Sequence, residues 1–86
     1  MYILELTRQA EKAFDVLMHA QPHMGKRVAI ALDHLAKDPE IGIPLRGVLK
    51  GYYKYRVGTY RIIYEIQKSK LLVIVIDIGH RKEVYR

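Results

Sequence analysis

Gly58-Thr59 is flanked in step by Val57 and Tyr60, then Arg56 and Arg61, then Tyr55 and Ile62, then Lys54 and Ile63. If the dipeptide is a two-residue hairpin turn, it pairs those residues in that order. Two arginines then face each other on neighbouring strands, with a lysine diagonal to them. Like charges opposed across a strand pair repel, so a sequence that keeps them has a use for them. Three cations in one patch suit a phosphate, because a guanidinium forks onto two oxygens while an ammonium acts as a point charge. The competing explanation is a solvated sheet face whose long side chains splay apart and pair with Glu65.

A second group of chemistry-bearing residues follows in Gly79-His80-Arg81-Lys82-Glu83-Val84-Tyr85-Arg86. An arginine with a tyrosine four residues on, beside a phosphate-binding sheet, would supply charge stabilisation and a ring on which an unpaired base stacks. Taken alone, the same segment reads equally well as an ordinary basic tail. Arg61 and Arg81 are both expected to face solvent.

The elements that must position these groups are legible from periodicity. Residues 2–6 read as a first strand, and Thr7 as the N-cap of a helix over 8–20 with apolar residues at Ala10, Ala13, Phe14, Leu17 and Met18. Gln21-Pro22 breaks that helix. A second stripe, Met24, Val28, Ala31, Leu32 and Leu35, ends before Asp38-Pro39, because the residue preceding proline avoids the helical region. Residues 39–51 carry two prolines and three glycines and read as loop, with Leu45 as an anchor into the core. The period then becomes two, giving strands over 52–57, 60–66 and 71–78. One hairpin face collects Tyr53, Tyr55, Val57, Tyr60, Ile62, Tyr64 and Ile66 to lie under the helices. The other collects Tyr52, Lys54, Arg56, Arg61, Ile63 and Glu65. The expectation is a single α+β domain over 1–86, ordered β-α-α-β-β-β, with a helical hairpin packed on one face of a mainly antiparallel four-stranded sheet.

Composition narrows the function. The 86 residues contain no cysteine, and the four histidines form no ligand-like cluster, so neither a disulfide nor a bound metal is expected, and no cofactor. The longest apolar run, 71–76, is too short to span a bilayer, and no secretory leader is read at Met1. A cytoplasmic protein without a membrane partner is expected. Net charge is +6, and it is segregated: residues 1–43 carry 5 basic and 6 acidic side chains, residues 44–86 carry 10 and 3. A cationic half of this kind points to a polyanionic partner, since lysines and arginines release counterions when they bind phosphates.

The run Leu45-Arg46-Gly47, the hairpin YKYRVGTYRIIY over 53–64 and the segment Gly79 to Tyr85 closely resemble the RelE branch of the RelE/ParE toxin superfamily. The order of elements resembles that fold as well. The resemblance implies an mRNA interferase that enters the A site of the 70S ribosome, in contact with 16S rRNA, and cuts the bound message. It also implies a cognate antitoxin, through which alone the toxin would reach operator DNA. Lys54, Arg56, Arg61, Arg81 and Tyr85 match the family's functional positions, with Arg56 standing where some members have lysine. Some members continue into a C-terminal helix that antitoxin displaces; this chain ends at Arg86, and inhibition by that route is not expected.

RNA carries its own nucleophile, so cutting without metal needs a base for the 2′-OH, positive charge on the phosphorane oxygens and a proton for the leaving 5′-oxygen. Lys54, crowded by Arg56 and Arg61, is the candidate base, since like charge favours its neutral form. Arg61 and Arg56 would hold the phosphate, with His80 and Lys82 as further substrate contacts. Arg81 would stabilise or protonate the departing oxygen. His80 is its rival as acid, because an arginine with a pKa above ~12 gives up a proton poorly. Tyr85 would stack on or orient a base. Two other readings stand beside this one. A ParE-like inhibitor of DNA gyrase would not need the cation cluster, and a non-catalytic RNA-binding module would need no base.

Overall fold

Thr7 joins the first strand to the first helix and ties both to the far end of the chain. Its hydroxyl oxygen accepts from the Ala10 N–H at 3.1 Å, capping the helix, and donates to the Ile76 carbonyl at 2.9 Å. The computed structural model describes residues 1–80. Its elements are β1 (Ile3–Leu6), α1 (Arg8–Ala20), α2 (Pro22–Lys37), β2 (Ile43–Pro44), β3 (Tyr52–Val57), β4 (Tyr60–Gln67) and β5 (Leu72–His80). Short 3-10 turns occupy Pro39–Ile41, Gly47–Leu49 and Lys68–Lys70.

One residue, Gln21, separates the helices: its N–H closes α1 on the Leu17 carbonyl, and Pro22, which lacks the donor a first helical turn cannot use, starts α2. The tight joint brings the helices together at Gly25, where a Cβ would collide with the Met18 sulfur. Both apolar stripes turn inward. Ala10, Leu17, Val28, Ala31, Leu32 and Leu35 are buried against Val57, Ile62, Tyr64, Val73, Val75 and Ile78 of the sheet, with Ala13, Phe14 and Met24 packed around them. Each large aliphatic side chain withdrawn from water in this way contributes on the order of 2 kcal/mol.

The sheet has five strands in the order β1-β5-β4-β3-β2. β1 runs parallel to β5 and the other neighbours are antiparallel. The extra strand is β2, two residues inside the segment read as loop, pairing Ile43 with Lys54 and Pro44 with Tyr53. A proline and a length of two leave no periodicity to detect, and the strand exists because β3 offers it an edge. Leu45 is not the anchor of this segment: it is only half-buried and lies outside the core cluster. The anchor is Tyr64. Its hydroxyl donates to the Pro39 carbonyl at 2.6 Å, its ring stacks on Tyr53 with centroids 5.5 Å apart, and Gly42 lies so close that a Cβ there would collide with the hydroxyl.

A bulge interrupts β4 and β5. Ile63 pairs with Asp77 but Tyr64 pairs with Val75, so Ile76 is the surplus residue. The Thr7 hydroxyl takes up its carbonyl, and the Thr7 N–H takes up that of Val75 at 3.0 Å.

Burial pushes the Tyr64 phenol up to about 12, with the nearby Gly42 backbone pulling the other way. The fold therefore holds the neutral phenol more tightly than the unfolded chain does. That stabilisation is complete below pH 10 and is lost as pH rises from about 10 to about 12. Tyr64→Phe should cost about 1–3 kcal/mol at neutral pH, because the Pro39 carbonyl loses its donor, and should flatten the alkaline loss of stability. Denaturant titrations of both proteins at several alkaline pH values would show it; parallel pH profiles would exclude Tyr64 as the group responsible.

Candidate nucleic-acid interface

The hairpin of β3 and β4 turns through Gly58 and Thr59 and pairs Val57 with Tyr60, Arg56 with Arg61, Tyr55 with Ile62 and Lys54 with Ile63. Gly58 has φ +61° and Thr59 does not share its positive φ, the pattern of a type II′ turn, whose twist matches the strands it joins. In such a hairpin the pair flanking the turn carries the ladder bonds. The next pair, Arg56 and Arg61, does not, and side chains of that pair sit closer together. The arginines are thus opposed in the tighter of the two cross-strand arrangements.

The faces sort as the alternation requires. Tyr53, Tyr55, Val57, Tyr60, Ile62, Tyr64 and Ile66 all belong to the core or pack against it. On the other face lie Tyr52, Lys54, Arg56, Arg61, Ile63 and Glu65. This face is less open than expected. Arg56 is exposed, but Lys54 and Arg61 are half-buried, with the Arg61 Nε fully enclosed. Ile63 is only 4% exposed although it stands outside the main cluster, in a row between Lys54 and Asp77. One edge of the Arg61 guanidinium is therefore enclosed, and the side chain does not project freely into solvent. It faces Gly79 on β5, which brings no side chain.

His80 is not gathered with these cations. It pairs with Tyr60 and so shares the helix-bearing face, where its ring meets Tyr60 edge-on with centroids 5.7 Å apart. The Tyr60 hydroxyl in turn accepts from Gln21 Nε2 at 3.0 Å, and both rings line a groove of 390 Å³ along α1. Arg81, Lys82 and Tyr85 lie outside the described residues.

Periodicity alone missed three residues around the face. The bulge at Ile76 places Asp77 in the row of Lys54 and Ile63, where its carboxylate accepts from the Ile78 N–H at 2.9 Å; no sequence pattern announces a bulge. Arg27 and His34 of α2 line a 250 Å³ cleft with Arg56. On a helix, an arginine and a histidine seven residues apart read as a solvated stripe until the strand beside them is known. Among the described residues, no His, Cys, Asp or Glu group gathers as a metal site would, and no helix is long and apolar enough to cross a membrane.

Residues 4–85 match the family described as ParE toxin of type II toxin-antitoxin system, parDE. The chain belongs to the RelE/ParE toxins. Toxin RelG of Mycobacterium tuberculosis is 37% identical over 60 residues, 69% of each protein. Among solved structures, this RelE/ParE toxin superposes on the toxin-antitoxin complex RelBE2 of M. tuberculosis with a TM-score of 0.81 at 28% identity, covering 93% of this chain and 98% of the other. The isolated E. coli RelE toxin gives 0.77 at 26% identity, covering 99% and 92%.

The opposed arginines should cost this toxin stability. Arg56→Gln, at the more exposed of the two positions, is expected to raise unfolding stability by roughly 0.2–1 kcal/mol, more at low salt than at high. Urea titrations at two ionic strengths would measure it, and a loss of stability would mean that the arginines do not repel in the folded protein.

Proposed function

We propose that this RelE/ParE toxin is a metal-independent endoribonuclease that cuts mRNA in the ribosomal A site. The observation that carries the reading is the Arg56-Arg61 pair, forced into opposition by the hairpin register with Lys54 diagonal to it. Such an arrangement disfavours the free protein and becomes favourable when a phosphodiester enters between the charges. The named likeness to RelG and RelE supports the same branch.

In this reading Lys54 takes the proton from the 2′-OH, whose oxygen attacks the adjacent phosphorus. Arg56 and Arg61 hold the non-bridging oxygens as charge grows on them. The bond to the 5′-oxygen breaks as that oxygen takes up a proton from solvent, leaving a 2′,3′-cyclic phosphate and a 5′-hydroxyl. Arg81 is assigned to charge on the leaving oxygen, Tyr85 to stacking on a base and Lys82 to the RNA backbone. The placement of His80 against Tyr60, on the opposite face, argues against it as the acid. One small cationic face has little surface with which to bend a message, so the ribosome is assigned the alignment of the 2′-OH. Relatives solved as toxin-antitoxin complexes support an antitoxin partner here, and an acidic segment would complement the cationic face.

The ParE name of the matched family favours a second reading, inhibition of DNA gyrase through protein contact. That activity makes no use of the opposed cations. Purified toxin added to programmed ribosomes and, separately, to gyrase with supercoiled DNA would decide between them. The expected outcome is cut message with 2′,3′-cyclic ends, lost in Arg61→Ala and slowed about 10²–10⁴-fold in Lys54→Ala. Both variants should keep their circular dichroism spectra. A 3′-hydroxyl paired with a 5′-phosphate would mean that water attacked and would remove Lys54 as the base, and gyrase inhibition with intact message would overturn the nuclease.

A further inference from the structure

β2 covers β3 only at Tyr53 and Lys54, so among the described residues Tyr55, Arg56 and Val57 form an open sheet edge. Because the Arg56-Arg61 pair does not carry the ladder bonds to β4, the Arg56 N–H and carbonyl point outward across that edge. What lies beyond it is the 250 Å³ cleft lined by the buried Ala31 and Val57, the exposed Ile30, and Arg27, His34 and Arg56. Arg27 reaches the hairpin turn: its Nη1 lies 3.3 Å from where a Cβ on Gly58 would stand. Among the described residues no carboxylate pairs with Arg27, His34 or Arg56.

We infer that this cleft is a second phosphate site, which takes the RNA backbone one or more nucleotides from the phosphate held by Arg56 and Arg61. Arg56 belongs to both, with its backbone at the cleft and its side chain on the cationic face, so a single strand can pass around the β3 edge from one to the other without leaving positive charge. A guanidinium, an imidazole and an outward N–H thus line one cleft, each able to donate to a phosphate oxygen. A peptide strand fits less well. Only three edge positions are open, and Arg27 closes the turn end of the cleft. The inference rests on the RNA reading above and adds to it a docking path along α2.

The test is binding of a short single-stranded RNA with every 2′-OH methylated, so that nothing is cut, measured across a salt series for the wild type, Arg27→Ala, Arg27→Glu and Arg61→Ala. Arg27 is exposed on α2, and circular dichroism would confirm that its variants fold. Arg27→Ala should weaken binding roughly tenfold and lower the salt slope by about one. Arg27→Glu should weaken it further, and the cut position on ribosome-bound message should not move. If both Arg27 variants bind RNA with the affinity and salt slope of the wild type while Arg61→Ala does not, the cleft is no phosphate site and the nuclease reading stands. If Arg61→Ala and the Arg27 variants all bind as the wild type does, the RNA reading itself fails. If the Arg27 variants keep RNA affinity but lose affinity for the acidic antitoxin, the cleft serves a protein and the inference is overturned.

Discussion

A two-residue turn allows a β-hairpin one register, and at Gly58-Thr59 that register decides everything about the cationic face. Slipping β3 by one residue would send Tyr53, Tyr55 and Val57 to solvent and carry Lys54 and Arg56 under the helices, where charge without a partner is prohibitive. The core and the site therefore specify each other. Burial of the tyrosine face beneath α1 and α2 holds the hairpin in place, and the hairpin in place has no alternative to opposing Arg56 and Arg61.

The rest of the fold supplies rigidity to that arrangement. Tyr64 joins β4 to the segment after α2 through the Pro39 carbonyl, and Gly42 permits the close approach. Thr7 absorbs the carbonyl that the β5 bulge leaves over. Neither contact touches the cationic face, yet each fixes a strand that borders it. The exposed Lys68-Glu40 bridge at 2.7 Å, which raises the lysine's affinity for its proton, tethers the same region and adds little stability of its own.

Regular elements were readable because their signals repeat. Both helices and β3 follow from stripes of apolar residues and from Thr7, Pro22 and Asp38-Pro39, and the pairing of Arg56 with Arg61 follows from one dipeptide. What periodicity could not supply is single and non-local. The pairing of β2 depends on an edge it meets in space, the Ile76 bulge on a partner strand, and the Tyr64 bond on a carbonyl 25 residues away. His80 illustrates the limit within the site. Its position beside Arg81 suggested a shared role, but alternation along β5 turns its ring toward Tyr60. Arg27 and His34 illustrate the converse, ordinary helix-surface residues that acquire a neighbour in Arg56 only when α2 is laid along the sheet.

The strand that unites the sheet, β5, lies between β1 and β4, and it follows both of them in the chain. During synthesis the first strand and both helices leave the ribosome long before the partner that will bury them exists. Until β5 emerges, Leu4 and Leu6 have no sheet to join and Thr7 has no Ile76 carbonyl to bind. The β3-β4 hairpin, built from local contacts, can form earlier, but on its own such a ribbon is marginal. A nascent chain is thus without a fully organised sheet, and without a fixed cationic face, until its last strand has emerged.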